Sequence, residues 1–289
     1  MKNFKILLAL VIVLSLVGIT GCSTDDTTGD TLNTTPEAAT GDTMSSGVVT
    51  GSGSTSVEKI ALATMDEFMA LNPNVDATYE GIGSSGGVKN ADEGTTEFGA
   101  ASRKLKDEEK SWGMTEVVIA YDGIAVIVHP SNTAMNDITM DQILGIFKGE
   151  ITDWSEVGGT AGPIVVVSRE DGSGTRGAFE EIVGFEDELS SDAINAEGNG
   201  NVQVTVATNE SAIGYVSFTY IDDTVKPLLV EGVEATVGNV LNDTFPISRP
   251  FIMMYHEENM SDTALAYIDF ILSPEGQEIV EEEGGIPVN

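Results

Sequence analysis

Three times along this chain, a loop rich in glycine and serine stands immediately before an apolar pattern of helical spacing. The loops cover residues 51–56, 81–87 and 172–175, and a strand-like stretch precedes the second and the third. Strands that alternate with helices predict an α/β fold of parallel sheets, with ligand loops at the carboxyl ends of the strands. Because a helix N-terminus presents free N–H groups and a partial positive charge, such loops favour the binding of an anion.

Periodicity predicts the other elements. Apolar residues at helical spacing over 57–68 indicate the first helix, with Thr55 and Glu58 as its capping box. A second capping box is predicted at Thr139 and Gln142. Short strands are predicted at residues 75–79, 98–101, 117–120, 124–128, 164–167, 215–218 and 251–255, and a last helix at residues 264–271.

The first 21 residues have the pattern of a secretory signal. The apolar run at residues 6–19 is shorter than the roughly 20 residues that a membrane span needs. Small residues then precede Cys22, the single cysteine of the chain, which predicts cleavage and lipid attachment there. Residues 22–46 contain almost no large apolar side chains and are expected to form a flexible tether. We therefore expect a lipid anchor on the outer face of the cell membrane; a plain signal peptide or a membrane helix with a chance cysteine is the alternative.

Acidic residues outnumber basic residues by 47 to 13, and the formal net charge is −34. This charge excludes a nucleic-acid partner, and it repels an anionic ligand at long range. Local dipoles and charges at the site must therefore overcome it. The histidines His129 and His256 stand alone in unlike contexts, so that neither a metal site nor a cofactor is expected.

The chain length predicts two lobes, because a single core stops growing at about 250 residues. A break is expected near His129 and Pro130, where a proline ends a strand and a new unit begins. The first lobe would comprise residues 47–128 and 221–289, and the second residues 129–220. Since the candidate ligand loops fall on both sides of this break, we expect the lobes to close around the ligand.

Two segments carry a specific resemblance to a known family. Residues 79–89 (YEGIGSSGGVK) and 169–175 (REDGSGT) look like signature segments of the phosphate-binding proteins (PstS) of phosphate ABC transporters. The resemblance implies a two-lobed, periplasmic-binding-protein-like fold of type II with a hinge between the lobes. It also implies a monomer that is not an enzyme, captures inorganic phosphate and delivers it to ABC transporter permease subunits. Further segments resemble the family in order and spacing: residues 51–56, 98–103, 209–216 and 276–288.

The same resemblance implies a set of phosphate-binding residues. Arg169 would offer a charged fork to the phosphate oxygens, with Asp171 as its partner in an ion pair. Ser102 stands where family members often carry an aspartate that accepts the ligand's proton and rejects sulfate, and Arg103 would add a second fork. The predicted set is Ser54, Thr55, Ser56, Ser84, Ser102, Arg103, Arg169, Ser173, Gly174 and Thr175.

Several alternatives stay open. Because Ser102 replaces the acidic residue, the ligand could be another tetrahedral oxyanion such as sulfate, and Ser102-Arg103 could be a surface turn. A phosphate-sensing surface protein without transport is a further possibility. Residues 56–59 match the Ser-x-x-Lys of serine β-lactamases, but the sequence contains neither Lys-Thr-Gly nor Ser-Asp-Asn. The loop at 172–175 lacks the lysine of a P-loop, which argues against nucleotide hydrolysis.

Overall fold

The computed structural model describes residues 46–288. The described residues do not include the predicted signal peptide, the predicted lipid acceptor Cys22 or nearly all of the predicted tether. Within the described part, no helix combines the length and the apolar character needed to cross a membrane.

The described residues form nine α-helices and eleven strands. The helices are α1 Glu58–Leu71, α2 Ser84–Asp92, α3 Asp107–Lys110, α4 Met140–Phe147, α5 Gly174–Val183, α6 Gly198–Ala207, α7 Val237–Leu241, α8 Asp262–Leu272 and α9 Pro274–Glu282. The strands are β1 Gly47–Gly53, β2 Val75–Gly81, β3 Phe98–Ala101, β4 Thr115–Val128, β5 Asp137–Ile138, β6 Val165–Arg169, β7 Ile194–Ala196, β8 Ala212–Ser217, β9 Lys226–Pro227, β10 Leu229–Val230 and β11 Ser248–Tyr255.

One large sheet connects most of the strands, in the order β2-β1-β3-β11-β4-β8-β6-β7, and β9 also pairs with β4. The strands that lead into the ligand loops are parallel to their neighbours, as the alternation of strands and helices predicts: β1 pairs with β2 and β3, and β6 with β7 and β8. The middle of the sheet is antiparallel, because β11 runs against β3 and β4, and β4 runs against β8. A separate pair joins β5 and β10.

Two main apolar clusters fill the molecule. One lies under β1, β3 and helices α1 and α8, and includes Phe98 and Tyr267. The other surrounds β6, β8 and helix α5, and includes Phe147 and Phe179. Residues between 225 and 247 pack in the second cluster, whereas the sequence pattern predicts that residues 221–289 belong to the first lobe. The amino-acid pattern of the short strands β9 and β10 does not indicate which of the two clusters they join.

Strand β4 passes from one cluster to the other without a break. Ile119 and Ala120 lie in the first cluster, and residues 124–128 in the second. The prediction of two separate strands was wrong here. The polar interruption at Asp122 and Gly123 is part of the ladder, because these residues pair with Arg249 and Ser248 of β11. Strand β11 crosses between the clusters beside β4.

The capping predictions had different outcomes. The box at Thr139 and Gln142 is confirmed, since each side chain binds the other residue's backbone N–H group at the start of α4. The box at Thr55 and Glu58 was wrong: α1 begins at Glu58, and Val57 precedes it without a side-chain cap. The hydroxyl of Thr55 instead accepts hydrogen bonds from residues of the second lobe.

Candidate anion-binding site

The three glycine- and serine-rich loops meet where the lobes face each other. Ser56 Oγ, which precedes α1, lies 2.8 Å from Thr175 Oγ1 in the first turn of α5. Ser84 opens α2, and a Cβ atom placed on Gly174 would lie 2.1 Å from Ser84 Oγ. The starts of three helices from distant parts of the sequence therefore converge, and their free N–H groups favour an anion between them.

Backbone geometry makes the second of these helix starts possible. Gly83 precedes α2 with φ of 87°, a conformation in which a side chain is strained. A Cβ atom on Gly83 would also come within 3.4 Å of the carbonyl oxygen of Gly172 in the opposite lobe. The Ser85 N–H group donates to that carbonyl at 3.1 Å, so that the two loops are in direct contact.

Three serines of the first lobe form a chain of hydrogen bonds beside the convergence. Ser54 Oγ donates to Ser102 Oγ at 2.8 Å, and Ser102 N donates to Ser84 Oγ at 3.1 Å. All three are buried, as is Ser56, whose N–H group donates to Ser54 Oγ. Ser102 is therefore part of the site, which argues against the surface-turn alternative. Ser173 Oγ, which also belongs to the predicted set, caps α5 by accepting from Arg176 N at 3.2 Å.

Arg169 is a buried arginine of the second lobe that reaches the hydroxyl of Thr55 in the first lobe. Its side chain is 1% exposed, and it stands at the end of β6. Nε and Nη2 donate to the Glu170 carboxylate at 2.8 and 2.7 Å, and Nη2 donates to Thr55 Oγ1 at 3.2 Å. Nη1 is buried and has no hydrogen-bond partner within residues 46–288. Since a buried N–H donor without a partner is costly, this atom indicates a place for an anionic ligand.

The ion-pair partner of Arg169 differs from the predicted one. Asp171 binds Arg176 Nη1 at 2.7 Å and is exposed, whereas Glu170 holds Arg169. Partial burial raises the pKa of Glu170, but hydrogen bonds and charge attraction from Arg169 outweigh it and lower the pKa overall. Glu170 also accepts from Gly198 N at the start of α6. The carboxylate therefore stays ionised and fixes the guanidinium in place.

Arg103 does not join the cluster of hydroxyls. Its guanidinium forms a bidentate pair with Glu109 at 2.7 and 2.8 Å, and Nη2 also reaches Ser85 Oγ at 3.2 Å. Both side chains of the pair are buried. Burial raises the pKa of Glu109, and the hydrogen bonds from Arg103 and Lys106 lower it by more. The geometry makes Arg103 a structural residue, and gives no support to its predicted role as a second fork.

Sequence reasoning missed three buried residues that touch the site. Arg249 on β11 donates from Nη2 to Ser56 Oγ at 3.1 Å and from Nη1 to the carbonyl oxygen of Ser102 at 3.0 Å. Asp122 on β4 accepts from Arg249 Nε and Nη2 at 3.0 and 2.7 Å. Asn199 in α6 donates to Ser56 Oγ at 2.9 Å. The signal for the charged pair was a charged residue inside each of two largely apolar strand patterns.

Burial acts against both charges of the Asp122–Arg249 pair. It raises the pKa of Asp122 and lowers the pKa of Arg249, while their mutual attraction and the hydrogen bonds from Ser217 and Phe218 offset part of that effect. Each arginine near the hydroxyls therefore has its own carboxylate partner: Glu170 for Arg169, and Asp122 for Arg249. With those charges balanced, helix N-termini and hydroxyl groups supply the attraction for an anion, largely independent of the net charge of the whole chain.

Comparisons with known proteins agree with this geometry. The family model described as "PBP superfamily domain" matches residues 33–275. A solved structure from Clostridium perfringens, assigned as a phosphate ABC transporter substrate-binding protein with bound phosphate, shares 52% sequence identity. It covers 84% of this chain and 100% of its own, with a TM-score of 0.83. The chain belongs to the PstS family of phosphate-binding proteins.

Other members of the PstS family show similarity over similar lengths. The phosphate-binding protein PstS of Bacillus subtilis is 29% identical over 100% of this chain and 95% of its own length. A crystal structure of an ABC-type phosphate transport receptor from Vibrio cholerae is 30% identical, covers 82% of this chain and 99% of its own, and has a TM-score of 0.71. These matches confirm the predicted PstS resemblance and the two-lobed α/β fold of periplasmic binding proteins.

Proposed function

We propose that this protein captures inorganic phosphate outside the cytoplasm and delivers it to an ABC importer. The observation that carries the proposal is the buried Nη1 atom of Arg169, which has no partner in the described chain and lies among hydroxyl groups and helix N-termini. A tetrahedral oxyanion provides acceptors in several directions at once, as this arrangement of donors requires.

The positions of the site residues support binding by lobe closure. The first lobe contributes Ser54, Thr55, Ser56, Ser84 and Ser102, and the second lobe contributes Arg169, Gly174 and Thr175. An anion that contacts both lobes binds the closed form more tightly than the open form. It stabilises the closed form by the difference between these two binding free energies. The ligand would therefore be enclosed between the lobes until a transporter opens them.

The sequence pattern and the relatives support a proposal for the cellular setting. A signal that ends at Cys22 supports a lipid anchor on the outer face of the cell membrane, with residues 22–46 as a tether. The relative from Clostridium perfringens is assigned to an ABC transporter, which supports permease subunits as the partners of a monomeric binding protein. Labelling of cells with a lipid precursor, compared between the wild type and Cys22→Ala, tests the anchor.

Calorimetric titration tests the ligand directly. A protein that lacks residues 1–46 should bind phosphate with micromolar or tighter affinity, and sulfate more weakly. Equal or tighter binding of sulfate would contradict the assignment to phosphate. Sulfate is the second candidate because Ser102, and not a carboxylate, lies beside Ser54 and Ser84. A serine hydroxyl can donate to an unprotonated oxygen, whereas a carboxylate repels it.

A further inference from the structure

Arg249 and Asp122 join the two lobes at the crossing of strands β4 and β11. They pair directly across the antiparallel ladder and are 4% and 0% exposed. Asp122 accepts from Ser217 Oγ at 2.9 Å and from Phe218 N at 3.1 Å, both at the end of β8 in the second lobe. Arg249 reaches the first-lobe loops at Ser56 and Ser102. The ion pair thus connects both lobes to the loops of the binding site.

Asn199 provides a second connection, and its orientation is fixed. The Ser217 N–H group can only donate, and it donates to Asn199 Oδ1 at 3.1 Å. The amide nitrogen must therefore point the other way, where it donates to Ser56 Oγ at 2.9 Å and to Thr55 Oγ1 at 3.2 Å. Both amide hydrogens are used in these bonds, so that Asn199 acts on its neighbours and does not need to contact a ligand.

The donors around Ser56 determine where its hydroxyl hydrogen points. Arg249 Nη2 and Asn199 Nδ2 both donate to Ser56 Oγ, and neither atom can accept a hydrogen bond. They occupy both lone pairs of the oxygen, so the Ser56 hydrogen is donated to Thr175 Oγ1, 2.8 Å away. Thr175 receives this bond and makes no other side-chain hydrogen bond within residues 46–288. Its own hydrogen is therefore available to an anion.

We propose that Asn199 and Arg249 are positioning residues that orient the hydroxyls of Ser56 and Thr175, so that Thr175 meets the bound anion as a hydrogen-bond donor. The same arrangement applies to Thr55, whose Oγ1 accepts from Asn199 Nδ2 and Arg169 Nη2 and keeps its hydrogen for the ligand. Without these donors, Thr175 can turn its hydrogen to Ser56, and the anion loses a donor.

A double-mutant cycle separates this role from a merely structural one. The inference rests on phosphate as the ligand, so phosphate is titrated into the wild type, Asn199→Ala, Thr175→Val and the double variant. A hydrogen bond to a charged group contributes enough to expect about tenfold weaker binding for each single variant. Because Asn199 acts through Thr175, and Arg169 Nη2 still donates to Thr55 Oγ1 when Asn199 is removed, the double variant should bind no more weakly than Thr175→Val alone. A double variant that binds phosphate about a hundredfold more weakly than the wild type, which is the product of the two single losses, would overturn the proposal.

The control variant is Asn201→Ala. Asn201 lies two residues further along α6, is exposed, and donates to the Glu197 carbonyl oxygen. Its substitution should leave phosphate affinity unchanged; a tenfold loss there would show that any change in α6 weakens binding, and would overturn the positioning role. Absence of phosphate binding by the wild type would instead contradict the proposed function.

A second double-mutant cycle uses Arg249→Lys and Thr175→Val. It tests the proposal even if Asn199→Ala does not fold, which the lack of a cooperative unfolding transition would show. Lysine keeps the positive charge opposite Asp122, but its single ammonium group lacks the fork that serves Asp122, Ser56 and Ser102 together. Phosphate binding should weaken about tenfold in the wild-type background and change less than twofold in the Thr175→Val background. Equal losses in both backgrounds would overturn the role of Arg249.

Discussion

Glu170 accepts two hydrogen bonds from one edge of the Arg169 guanidinium, at 2.8 and 2.7 Å, and leaves Nη1 on the other edge without a partner among the described residues. The carboxylate thereby fixes the orientation of the guanidinium, with Nη1 on the edge that does not face Glu170. An arginine that is held in this way loses little side-chain entropy when the anion binds.

Arg169→Ala should weaken phosphate binding by roughly 3 kcal/mol or more, because the charged donor Nη1, which has no partner among the described residues, disappears. The thermal midpoint of the ligand-free protein should change little, since Glu170 is partly exposed and keeps its bond from Gly198 N. Calorimetry and thermal denaturation measure the two effects. Unchanged affinity would remove Arg169 from the site.

Arg103→Ala should have the opposite effect. It leaves the buried Glu109 without its partner, which predicts a loss of about 3–5 kcal/mol in the free energy of unfolding. Phosphate affinity, measured on protein that is still folded at low temperature, should stay within a fewfold of the wild type. A loss of affinity as large as that of Arg169→Ala would return Arg103 to the binding site.

The lowered pKa of Glu109 predicts a dependence of stability on pH. Since the folded state holds this carboxylate ionised more strongly than the unfolded chain, its contribution is fully present above the ordinary glutamate pKa, which is about 4.3. It is lost as the pH falls through the lowered pKa of the folded state. The difference in free energy of unfolding between the wild type and Glu109→Gln should therefore shrink on acidification. A constant difference down to acid pH would contradict the ion pair.

Gly174→Ala should prevent the lobes from closing. The new Cβ atom would lie 2.1 Å from Ser84 Oγ and 2.8 Å from Ser102 Oγ, closer than real contacts allow. We expect loss of phosphate binding and no contraction in small-angle scattering when phosphate is added. Gly177→Ala is the matched control in the same helix, because its Cβ atom would meet Arg103 Cδ at an ordinary 3.6 Å. It should bind phosphate normally and gain about 0.5–1 kcal/mol of stability.

Ser102→Asp should sharpen the choice between phosphate and sulfate. A carboxylate beside Ser54 and Ser84 can accept the proton of a protonated phosphate, and it repels sulfate, which carries none. The ratio of phosphate to sulfate affinity should rise about tenfold or more in competition titrations, whereas the uncharged Ser102→Asn should change it little. An unchanged ratio in the aspartate variant would show that this position does not face the ligand's proton.

The sequence predicted the local features of the fold because they depend on neighbouring residues. Periodicity and glycine-rich loops predicted the starts of α2 and α5 and the strands that precede them. The loops and Arg169 were also predicted to lie together, and they do. The continuous strand β4 was missed because a polar residue at Asp122 reads as an interruption unless its partner is known.

Pairings over long distances in the sequence could not be predicted from local patterns. Arg249 and Asp122 are 127 residues apart, and Asn199 is 143 residues from Ser56. The errors at Arg103 and Arg169 have a different cause, because their partners are close in the sequence. Several carboxylates lie near each of these arginines, and the sequence does not show which of them the guanidinium reaches. Arg103 was therefore assigned to the anion and Asp171 to Arg169, although Glu109 binds Arg103 and Glu170 binds Arg169.

The pairing of Gly123 with Ser248 has a consequence for how the chain is assembled. The chain leaves the first lobe along β4 and returns to it along β11 at the neighbouring position of the same ladder. The intervening residues 124–247 therefore behave as an insertion whose two ends are already adjacent. Pairing of these two strands offsets the entropy of closing a loop of that length, a cost that grows only slowly with the number of residues enclosed. Residues could thus be added to the far side of the second lobe without moving the first lobe's half of the phosphate site.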